Sequence, residues 1–524
     1  MTGTTQLVRL FLRRDRVVAP LWILAMGLVP LLYAVSFEGL YPTAADRQAF
    51  YQATLRTPAE LALVSPIFGS DLGALVTWRA GLLLTLVPLA AILTVIRHTR
   101  AEEDAGRTEL IGATAVGHHA GLAAALVVTI GMVVTTGLVG TVSLLATGFA
   151  VVGSIAFGAA IASVGTVFAG VGAVAAQIGP RARLARGYAL TVLAVAFALR
   201  AVGDAGSGTL SWLSPIGWSA QLRPFADERW WVTTLSAGAA AVTIATAVAL
   251  ARARDVGSGL VADRLGPASA PASLTGVFSL AWRQHRGSLA AWTVGLGVFA
   301  AILGSAANSV GDQLGGSEAV ADALAAFGGN SLVQSYVAAI ISIIGIAAAA
   351  YAVSAVLRAH TEEEDAHAEW VVSASVGKVR WLASHLTFAI AGPALAMLVV
   401  GLAAGLTYGT GVGDVGSVLP GVLGAALSQL PAVWVLVGVA VVLFGALPAW
   451  STAVWAVVAG VVLLGQVGEV IGLPQAILDI SPFTHVPHLP GGHFSAVPLA
   501  WTVSLAVVAV AVGAALFRRR DLRG

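Results

Sequence analysis

Two acidic segments, residues 97–117 and 358–377, hold the side chains whose types and spacing suggest a role. In the first segment, Glu103 and Arg107 are four residues apart, so on a helix the two charges can pair on one face. The same clustering of scarce charges occurs twice, which favours a docking surface for a cytoplasmic partner over the alternative, a solvated helix with local ion pairs. The candidate docking residues are Arg100, Glu102, Glu103, Asp104, Arg107 and Glu109, then Glu362, Glu363, Glu364, Asp365 and Glu369.

The sequence shows no motif that would indicate a catalytic site. The chain contains no cysteine, which excludes disulfides, iron–sulfur clusters and thiolate zinc sites. The only lysine, Lys378, lies in Ser-Val-Gly-Lys-Val, without the upstream glycine and the following hydroxyl of a P-loop. HExxH and GxSxG motifs are also missing. We therefore predict no catalytic, cofactor-binding or metal-binding residue in this chain.

The composition is that of an integral membrane protein. Of the 524 residues, 58% are apolar and only 10% are charged, whereas about a quarter are charged in soluble domains. The mean hydropathy is +0.88. These values exclude a soluble enzyme, a disordered chain and a nucleic-acid-binding protein.

Twelve apolar runs reach the roughly 20 residues that a membrane-spanning helix needs. Arginines cluster at the N-terminus, in alternate connections and at the C-terminus, so both termini are predicted to be cytoplasmic. The predicted spans are 17–36, 75–96, 120–146, 149–177, 188–203, 231–251, 289–309, 332–357, 382–408, 416–446, 450–472 and 496–517.

The second half of the chain repeats the first. Glu102-Glu103-Asp104-Ala105 recurs as 363–366, Glu109 recurs as Glu369 after one gap, and Arg107 is left without a basic counterpart. Ser214-Pro215 recurs as 481–482, and the basic run at 252–255 resembles 519–521. We predict an all-α protein of two parallel six-helix repeats, which divide into a first half (1–251), a cytoplasmic linker (252–274) and a second half (275–524).

Each half begins with a short amphipathic stretch, 7–16 and 278–286. Arg13 and Arg16 in the first stretch recur as Arg283 and Arg286 in the second. An interfacial helix that anchors the chain to anionic lipid explains this pattern, and a coupling role would be additional.

An aromatic and charged loop separates the fifth and sixth spans. Its tryptophans fit an aromatic belt at the outer interface, and an extracellular gate is the alternative. The gate candidates are Ser214, Pro215, Trp218, Arg223, Pro224, Trp230 and Trp231. The matching loop of the second half contains His485, His488 and His493 without the spacing of a metal site, so their role is left open.

Together these features resemble the permease subunit of a bacterial type-2 ABC exporter, in the duplicated twelve-span group that exports polyketide antibiotics. The resemblance covers the whole chain. It rests on the repeat, on RAEEDAGRTEL at 100–110, on SPIGWSAQLRPFADERWW at 214–231 and on RARDVGSGL at 252–260.

The resemblance implies a protein of the bacterial plasma membrane in which the basic stretches are connecting helices and the acidic segments are coupling helices. These would dock on a separate P-loop ATP-binding subunit, in two copies per permease chain, with ATP and Mg²⁺ bound there. A hydrophobic small molecule would leave between the halves, along their second and fifth spans.

Two other classes remain open. A twelve-span proton-coupled carrier also has parallel six-span halves, but the sequence shows no acid well inside two matching spans. A membrane scaffold or a lipid-modifying enzyme is the third class, and an enzyme would need convergent catalytic side chains that the sequence does not show.

Overall fold

The computed structural model describes residues 2–112, 114–255, 257–261, 266, 268–314, 332–465 and 474–521. Within these ranges every regular element is a helix. The chain forms two compact units, Met1–Gly266 and Pro267–Gly524. The boundary between the units lies within residues 252–274, which the sequence assigns to a linker.

The first unit contains fourteen α-helices among its described residues, and two 3₁₀ turns, Ala80–Leu82 and Leu210–Leu213. The helices are α1 (Thr4–Arg14), α2 (Val18–Gly27), α3 (Val29–Leu40), α4 (Ala44–Leu55), α5 (Pro58–Leu63), α6 (Leu72–Arg79), α7 (Leu83–His98), α8 (Arg100–Asp104), α9 (Arg107–Gly112), α10 (Ala120–Ala146), α11 (Val151–Ile178), α12 (Ala182–Ala205), α13 (Pro215–Ala220) and α14 (Val232–Arg252).

The second unit has fewer and longer helices in its described part, with 3₁₀ turns at Pro448–Ala453 and Pro482–His485. The helices are α15 (Val277–Leu314), α16 (Leu332–Glu364), α17 (His367–Ser373), α18 (Lys378–Val412), α19 (Val415–Ser428), α20 (Leu430–Ala446), α21 (Val454–Leu463), α22 (Gln475–Leu478) and α23 (Ala496–Arg519).

Eleven helical stretches of the described residues are long and apolar enough to cross a membrane. They coincide with eleven of the predicted spans, and the short predicted run 188–203 extends to Ala182–Ala205. The predicted run 450–472 begins with a shorter apolar helix, Pro448–Val462, and its residues 466–473 lie outside the described residues. The prediction of an all-helical membrane protein is confirmed.

The second and fourth spans form the core of the first unit. α11 packs against α7, α10, α12, α13 and α14. The apolar faces of the spans Val18–Leu40 and Val232–Arg252 are mostly exposed, as expected for helices that face lipid. In the second unit, α20 takes the central place and packs against α16, α18 and α23.

Close backbone approach explains part of the glycine content. α10 and α11 cross where Gly137 meets Gly158, and a Cβ atom added at Gly137 would lie 2.5 Å from the Gly158 carbonyl oxygen. A Cβ atom at Gly158 would lie 2.6 Å from the Gly137 carbonyl oxygen. Small residues let two helices pack this closely in a bilayer, where no hydrophobic effect drives helix association.

Candidate docking and coupling site

The first acidic segment folds as two short helices joined by a left-handed residue. α7 ends at His98, Thr99 leaves helical geometry, and α8 follows. Gly106 has a φ of 70°, which costs a glycine little, and α9 begins at the next residue. The side chains of α8 and α9 therefore point in different directions, and the two helices have different contacts.

Glu103 on α8 is held inside the unit by Arg254, which follows α14. The two side chains form a bidentate ion pair, with N–O distances of 2.6 and 2.9 Å. Arg254 also donates from Nε to Oε1 of Gln177, in the last turn of α11, at 2.7 Å. One guanidinium thus joins the ends of the second, fourth and sixth spans.

Arg100 is fully buried in this structure. Its guanidinium donates to the carbonyl oxygens of Ser258 at 2.8 Å, of Gly257 at 3.1 Å, and of Pro180. It also pairs with Glu103 at 2.7 Å. The predicted docking residue Arg100 therefore binds the chain just after α14 to the end of α7, and it does not face a partner in this conformation.

Glu102 and Asp104 also have partners within the unit. Glu102 accepts hydrogen bonds from Nε and Nη2 of Arg107 at 2.7 and 2.9 Å, and it pairs with Arg14 at 2.8 Å. The hydrogen bond to Glu102 raises the pKa of Arg107. Asp104 accepts a hydrogen bond from the backbone N–H of Ala182 at 2.6 Å, so it stabilises the start of α12.

The outer face of α9 is the part of this segment that a partner can reach. Glu109 and Leu110 are exposed there, and Leu110 has a relative accessibility of 75%. Thr108, Ile111 and one side of Glu109 line a cavity of about 510 Å³ beneath the helix. α9 therefore covers an open space, and fewer packing contacts resist its displacement.

The second acidic segment continues α16 and then turns into α17. Glu363 forms a bidentate ion pair with Arg520, the residue after α23, and one of its N–O distances is 2.6 Å. Glu362 lies 3.2 Å from Arg358 and 3.7 Å from Nδ1 of His367. Glu363 is therefore buried and, like Glu103, is paired with an arginine of its own unit, although the sequence places it in the docking surface.

The remaining acids of this segment lie towards solvent. Glu364 pairs with His360 at 3.3 Å and its side chain is mostly exposed. Asp365 and Glu369 are exposed, and Trp370, next to Glu369 on α17, has a relative accessibility of 79%. α17 thus presents an acid and a large apolar residue side by side, as α9 does.

The structure corrects the sequence alignment of the two acidic segments. Glu103 and Glu363 each hold the arginine that follows the last span of their unit. Gly106 and Ala366 both have positive φ values, 70° and 58°, directly before α9 and α17. The matching of Glu102-Glu103-Asp104-Ala105 with 363–366 is therefore wrong by one residue, and no gap is needed.

With this register, His367 takes the position of Arg107. Its Nδ1 atom faces Glu362 as Arg107 faces Glu102, at a longer distance of 3.7 Å. Matching identical letters leaves Arg107 without a basic counterpart, whereas the structure places His367 in that position.

The basic stretch at the start of the first unit is a separate helix. α1 buries Leu7 and Phe11, four residues apart, against α10, and it exposes Arg13. Asp15, at the end of α1, is buried, pairs with Arg97, and lies 2.7 Å from Nε2 of His98. The α1–α2 corner is thus held to the end of α7, and Arg16 is exposed beside it.

The second basic stretch differs from the expected short helix because it forms the first turns of α15 without a break. Arg283 and Arg286 are exposed on α15. The buried residue between them, His285, makes a 3.0 Å hydrogen bond to His385 on α18 and stacks on Phe388.

Hydrogen bonds within the loop fix the conformation of the segment that contains the gate candidates. Ser214 is buried and accepts a hydrogen bond from the backbone N–H of Ile216 at 3.2 Å, and Pro215 begins α13. Trp218 donates to the carbonyl oxygen of Trp212 at 2.6 Å. Ser481 caps the turn Pro482–His485 in the same way, so the two Ser-Pro pairs are structurally matched as well.

The rest of this loop packs around an aromatic wedge, the ring of Phe225. Arg223 lies over the ring of Phe68, 4.2 Å from its centroid, and burial lowers the pKa of Arg223. Pro224 is followed by Phe225, whose ring packs so closely on Gly73 and Gly153 that a Cβ atom at either glycine would overlap it.

The two aromatic residues at the end of the gate loop are exposed on the surface of the unit. Trp230 and Trp231 are exposed, and Trp231 stacks on Trp212 with ring centroids 5.7 Å apart. Their exposure suits an aromatic belt, so the gate and belt hypotheses both remain for these two residues.

A buried charge pair lies near the gate loop. Arg200 on α12 donates to the carbonyl oxygens of Ala62, Leu63 and Val64, at 2.7–3.1 Å, so it caps the end of α5. Asp204 lies 3.4 Å from Arg200 and accepts a hydrogen bond of 2.5 Å from Ser211. These contacts join α5, α12 and the turn before α13.

The three histidines of the second loop line one cavity of about 500 Å³. His485 faces the carbonyl oxygen of Asp479 at 3.0 Å. In the part of the chain that the structure describes, no group of three or more His, Cys, Asp or Glu side chains is placed to hold a metal ion.

Several site residues were not found as such from the sequence. Leu110 and Trp370 carry no charge pattern, and only their exposure distinguishes them. The repeated basic runs at 252–255 and 519–521 contain Arg254 and Arg520. In the sequence these runs support the repeat, the orientation and the family resemblance, but they do not indicate which side chains the two arginines bind.

Taken together, the apolar spans and the paired helix ends define a multi-pass membrane protein, and known sequences identify its class as that of the multidrug efflux system permeases. A family model described as "Multidrug efflux system permease Rv1217c, C-terminal domain" matches residues 274–518.

The multidrug efflux system permease protein Rv1217c of Mycobacterium tuberculosis strain H37Rv is 50% identical over 525 residues, which cover 100% of this chain and 96% of that protein. The chain therefore belongs to this family, as the resemblance implied. It is a multi-pass protein of the bacterial plasma membrane and a transport component.

Proposed function

We propose that this chain is the membrane-spanning permease subunit of an ATP-driven ABC exporter. Its substrates in this proposal are hydrophobic or amphipathic compounds such as antibiotics. The observation that carries the proposal is the repeated exposed pair on two short helices, Glu109 with Leu110 on α9 and Glu369 with Trp370 on α17. The related multidrug efflux permease supports efflux as the direction of transport.

A separate P-loop ATP-binding subunit supplies the energy in this proposal, with two copies for one permease chain and with ATP and Mg²⁺ bound on those copies. The sequence supports a separate subunit because its single lysine, Lys378, does not lie in a P-loop pattern.

The docking surfaces are the exposed faces of α9 and α17. Leu110 and Trp370 would enter apolar pockets of the two ATP-binding subunits, and Glu109 and Glu369 would pair with basic residues around those pockets. Apolar anchors with charged groups at their edge are the usual arrangement of a protein interface.

A displacement of α9 can be transmitted directly to a membrane-spanning helix. α9 joins α8, and α8 joins the end of α7, the second span. α8 is held by Glu103 and Arg100, so a shift that ATP binding imposes on α9 would tilt the second span with the helices attached to it. Asp15 and His98 would carry the same shift to α1.

The gate loop would act on the opposite end of the first unit. Phe225 packs on Gly73 of α6 and Gly153 of α11, so a tilt of the second or fourth span changes the space that the ring occupies. We propose that the withdrawal of this ring opens the outer end of the path.

The competing function is a proton-coupled carrier. One observation favours it: the acid Asp204 lies within the fifth span of the first unit, and its side chain is only 1% exposed. The acid has a fixed partner, Arg200, and its hydrogen bond to Ser211 joins it to a structural turn. These contacts favour a structural role for Asp204.

Purification of the tagged chain from its native cell in mild detergent tests the proposal. We expect a P-loop ATPase to co-purify in stoichiometric amount, and the double variant Leu110→Asp, Trp370→Asp to lose it. A chain that purifies alone and still transports without an ATPase would contradict the proposal and favour the proton-coupled carrier.

A further inference from the structure

The same three-helix junction is built twice in this chain. In the first unit, Arg254 after the sixth span holds Glu103 at the end of the second span. In the second unit, Arg520 after the last span holds Glu363 in the corresponding position. Both acids lie in segments whose charges had suggested docking, but both are turned into their own unit.

In both junctions, a residue near the end of a third helix also contacts the arginine. Gln177, near the end of α11, accepts the Nε–H of Arg254 at 2.7 Å. Phe444, near the end of α20, lies under the Arg520 guanidinium, with its ring centroid 5.0 Å away and its carbonyl oxygen 3.4 Å from Nη2. An aromatic face replaces the amide, which explains why Nε of Arg520 has no hydrogen-bond partner.

We infer that Glu103 with Arg254, and Glu363 with Arg520, are positioning residues that fasten the end of the last span of each unit to its acidic segment. Because of the first pair, a displacement of α8 moves the end of α14 with it. Because of the second pair, a displacement of α16 moves the end of α23 with it.

The chemistry of the pair supports a mechanical role. A bidentate arginine–carboxylate pair fixes both distance and orientation, which a single contact does not. The side chains of Arg254 and Glu103 are only 7% and 11% exposed, so water and salt screen the pair weakly. A lysine could keep the charge but would lose the second hydrogen bond and the bond to Gln177.

Spin labels on the permease alone test the mechanical part of the inference, which does not depend on the proposed function. The chain has no cysteine, so Ala105→Cys with Ala253→Cys introduces two unique labels at exposed positions on the two joined elements. We expect a narrow label–label distance distribution, which broadens about twofold in Arg254→Gln and less in Arg254→Lys. Arg252→Gln, an exposed arginine on the same helix end, is the matched control and should leave the width unchanged.

The double variant Glu103→Gln, Arg254→Gln shows whether the two residues act as a unit. If they do, it broadens the distribution by less than the sum of the two single variants, of which Glu103→Gln also removes the ion pair with Arg100. Thr361→Cys, an exposed position on α16, with Arg518→Cys on α23 reports on the second junction, where Arg520→Gln should broaden the distribution and Arg519→Gln should not. All variants are measured as monodisperse protein with unchanged helical content. An Arg254→Gln distribution as narrow as that of the parent, or equal broadening by Arg252→Gln, would overturn the inference.

The transport part rests on the proposed function. With the ATP-binding subunit present, Arg254→Gln should keep its association with that subunit and its ATP hydrolysis within about twofold but lose transport about tenfold. Equal loss of association and transport would make the pair part of the docking surface and contradict the inference. If the parent chain shows no ATP-dependent transport, the proposed function fails while the spin-label result still decides the mechanical role.

Discussion

Leu110 and Trp370 occupy the same place on two short helices: each is the fourth residue, in α9 (Arg107–Gly112) and in α17 (His367–Ser373). Each follows an exposed glutamate and a left-handed residue at the helix start. A single exposed apolar side chain is common on protein surfaces and by itself indicates no partner. Its repetition in both units suits a partner present in two copies.

Replacing either apolar anchor should weaken binding of the ATP-binding subunit. Burial of a side chain of this size contributes about 1.5–3 kcal/mol, so Leu110→Asp or Trp370→Asp should raise the Kd by about tenfold or more. Titration of the purified permease with the ATP-binding subunit measures this. Leu213→Asp, an exposed apolar residue near the gate loop, is the control and should have no effect. An unchanged Kd for both anchor variants would exclude α9 and α17 as the docking sites.

The neighbouring acids should act through charge. Glu109→Arg and Glu369→Arg should lower the association rate constant at low salt, and the difference from the parent should shrink at high salt because exposed charges are screened. Stopped-flow mixing at two ionic strengths measures the effect. Glu38→Arg, an exposed acid at the end of α3, provides the matched charge reversal. An equal loss in all three variants would indicate a general charge effect with no contact at α9 or α17.

The buried pair in α12 should contribute to stability. Arg200→Met leaves Asp204 buried without its cation and leaves three carbonyl oxygens without a donor. Removal of one member of a buried pair costs about 3–5 kcal/mol, so we expect a clearly lower thermal unfolding midpoint. Arg183→Met, an exposed arginine near the start of α12, should leave the midpoint almost unchanged. A stable Arg200→Met protein that has lost only proton-dependent transport would instead support the carrier hypothesis.

The wedge in the gate loop can be tested by adding volume beneath it. Gly153→Val leaves no room for the Phe225 ring in its present position. We expect transport to change while association with the ATP-binding subunit stays the same, because the wedge lies far along α11 from the acidic segment. Phe225→Ala should restore the packing of Gly153→Val, as judged by its thermal unfolding. Lost association in Gly153→Val would show a general folding defect and not a gate.

The sequence predicted the helices better than it predicted the function of individual charges. Apolar runs predict the spans well. An unpaired backbone group in lipid costs free energy, and a helix is one of the few structures that pairs all of its backbone groups. Glu109 and Glu103 look alike in the sequence, yet Glu109 is exposed on α9, whereas the Glu103 side chain is only 11% exposed and is paired with Arg254. The difference depends on a residue about 150 positions away, and no local pattern encodes it.

The repeat was also predicted, but its register was not. Matching identical letters placed Glu102 with Glu363, whereas the tertiary contacts of Glu363 match those of Glu103. Ala366 fills the left-handed position that Gly106 fills in the first unit, so the backbone is retained although the residue type is not. The orientation of the termini in the membrane and the docking role of the exposed acids stay predictions.

Reconstitution into proteoliposomes tests the central claim, that this permease is driven by ATP through a docked subunit. We expect uptake of a hydrophobic dye to require ATP, the ATP-binding subunit and both Leu110 and Trp370, and to persist with a protonophore present. Uptake by the permease alone, driven by a pH gradient and abolished by the protonophore, would exclude an ATP-driven permease and identify the chain as a proton-coupled carrier.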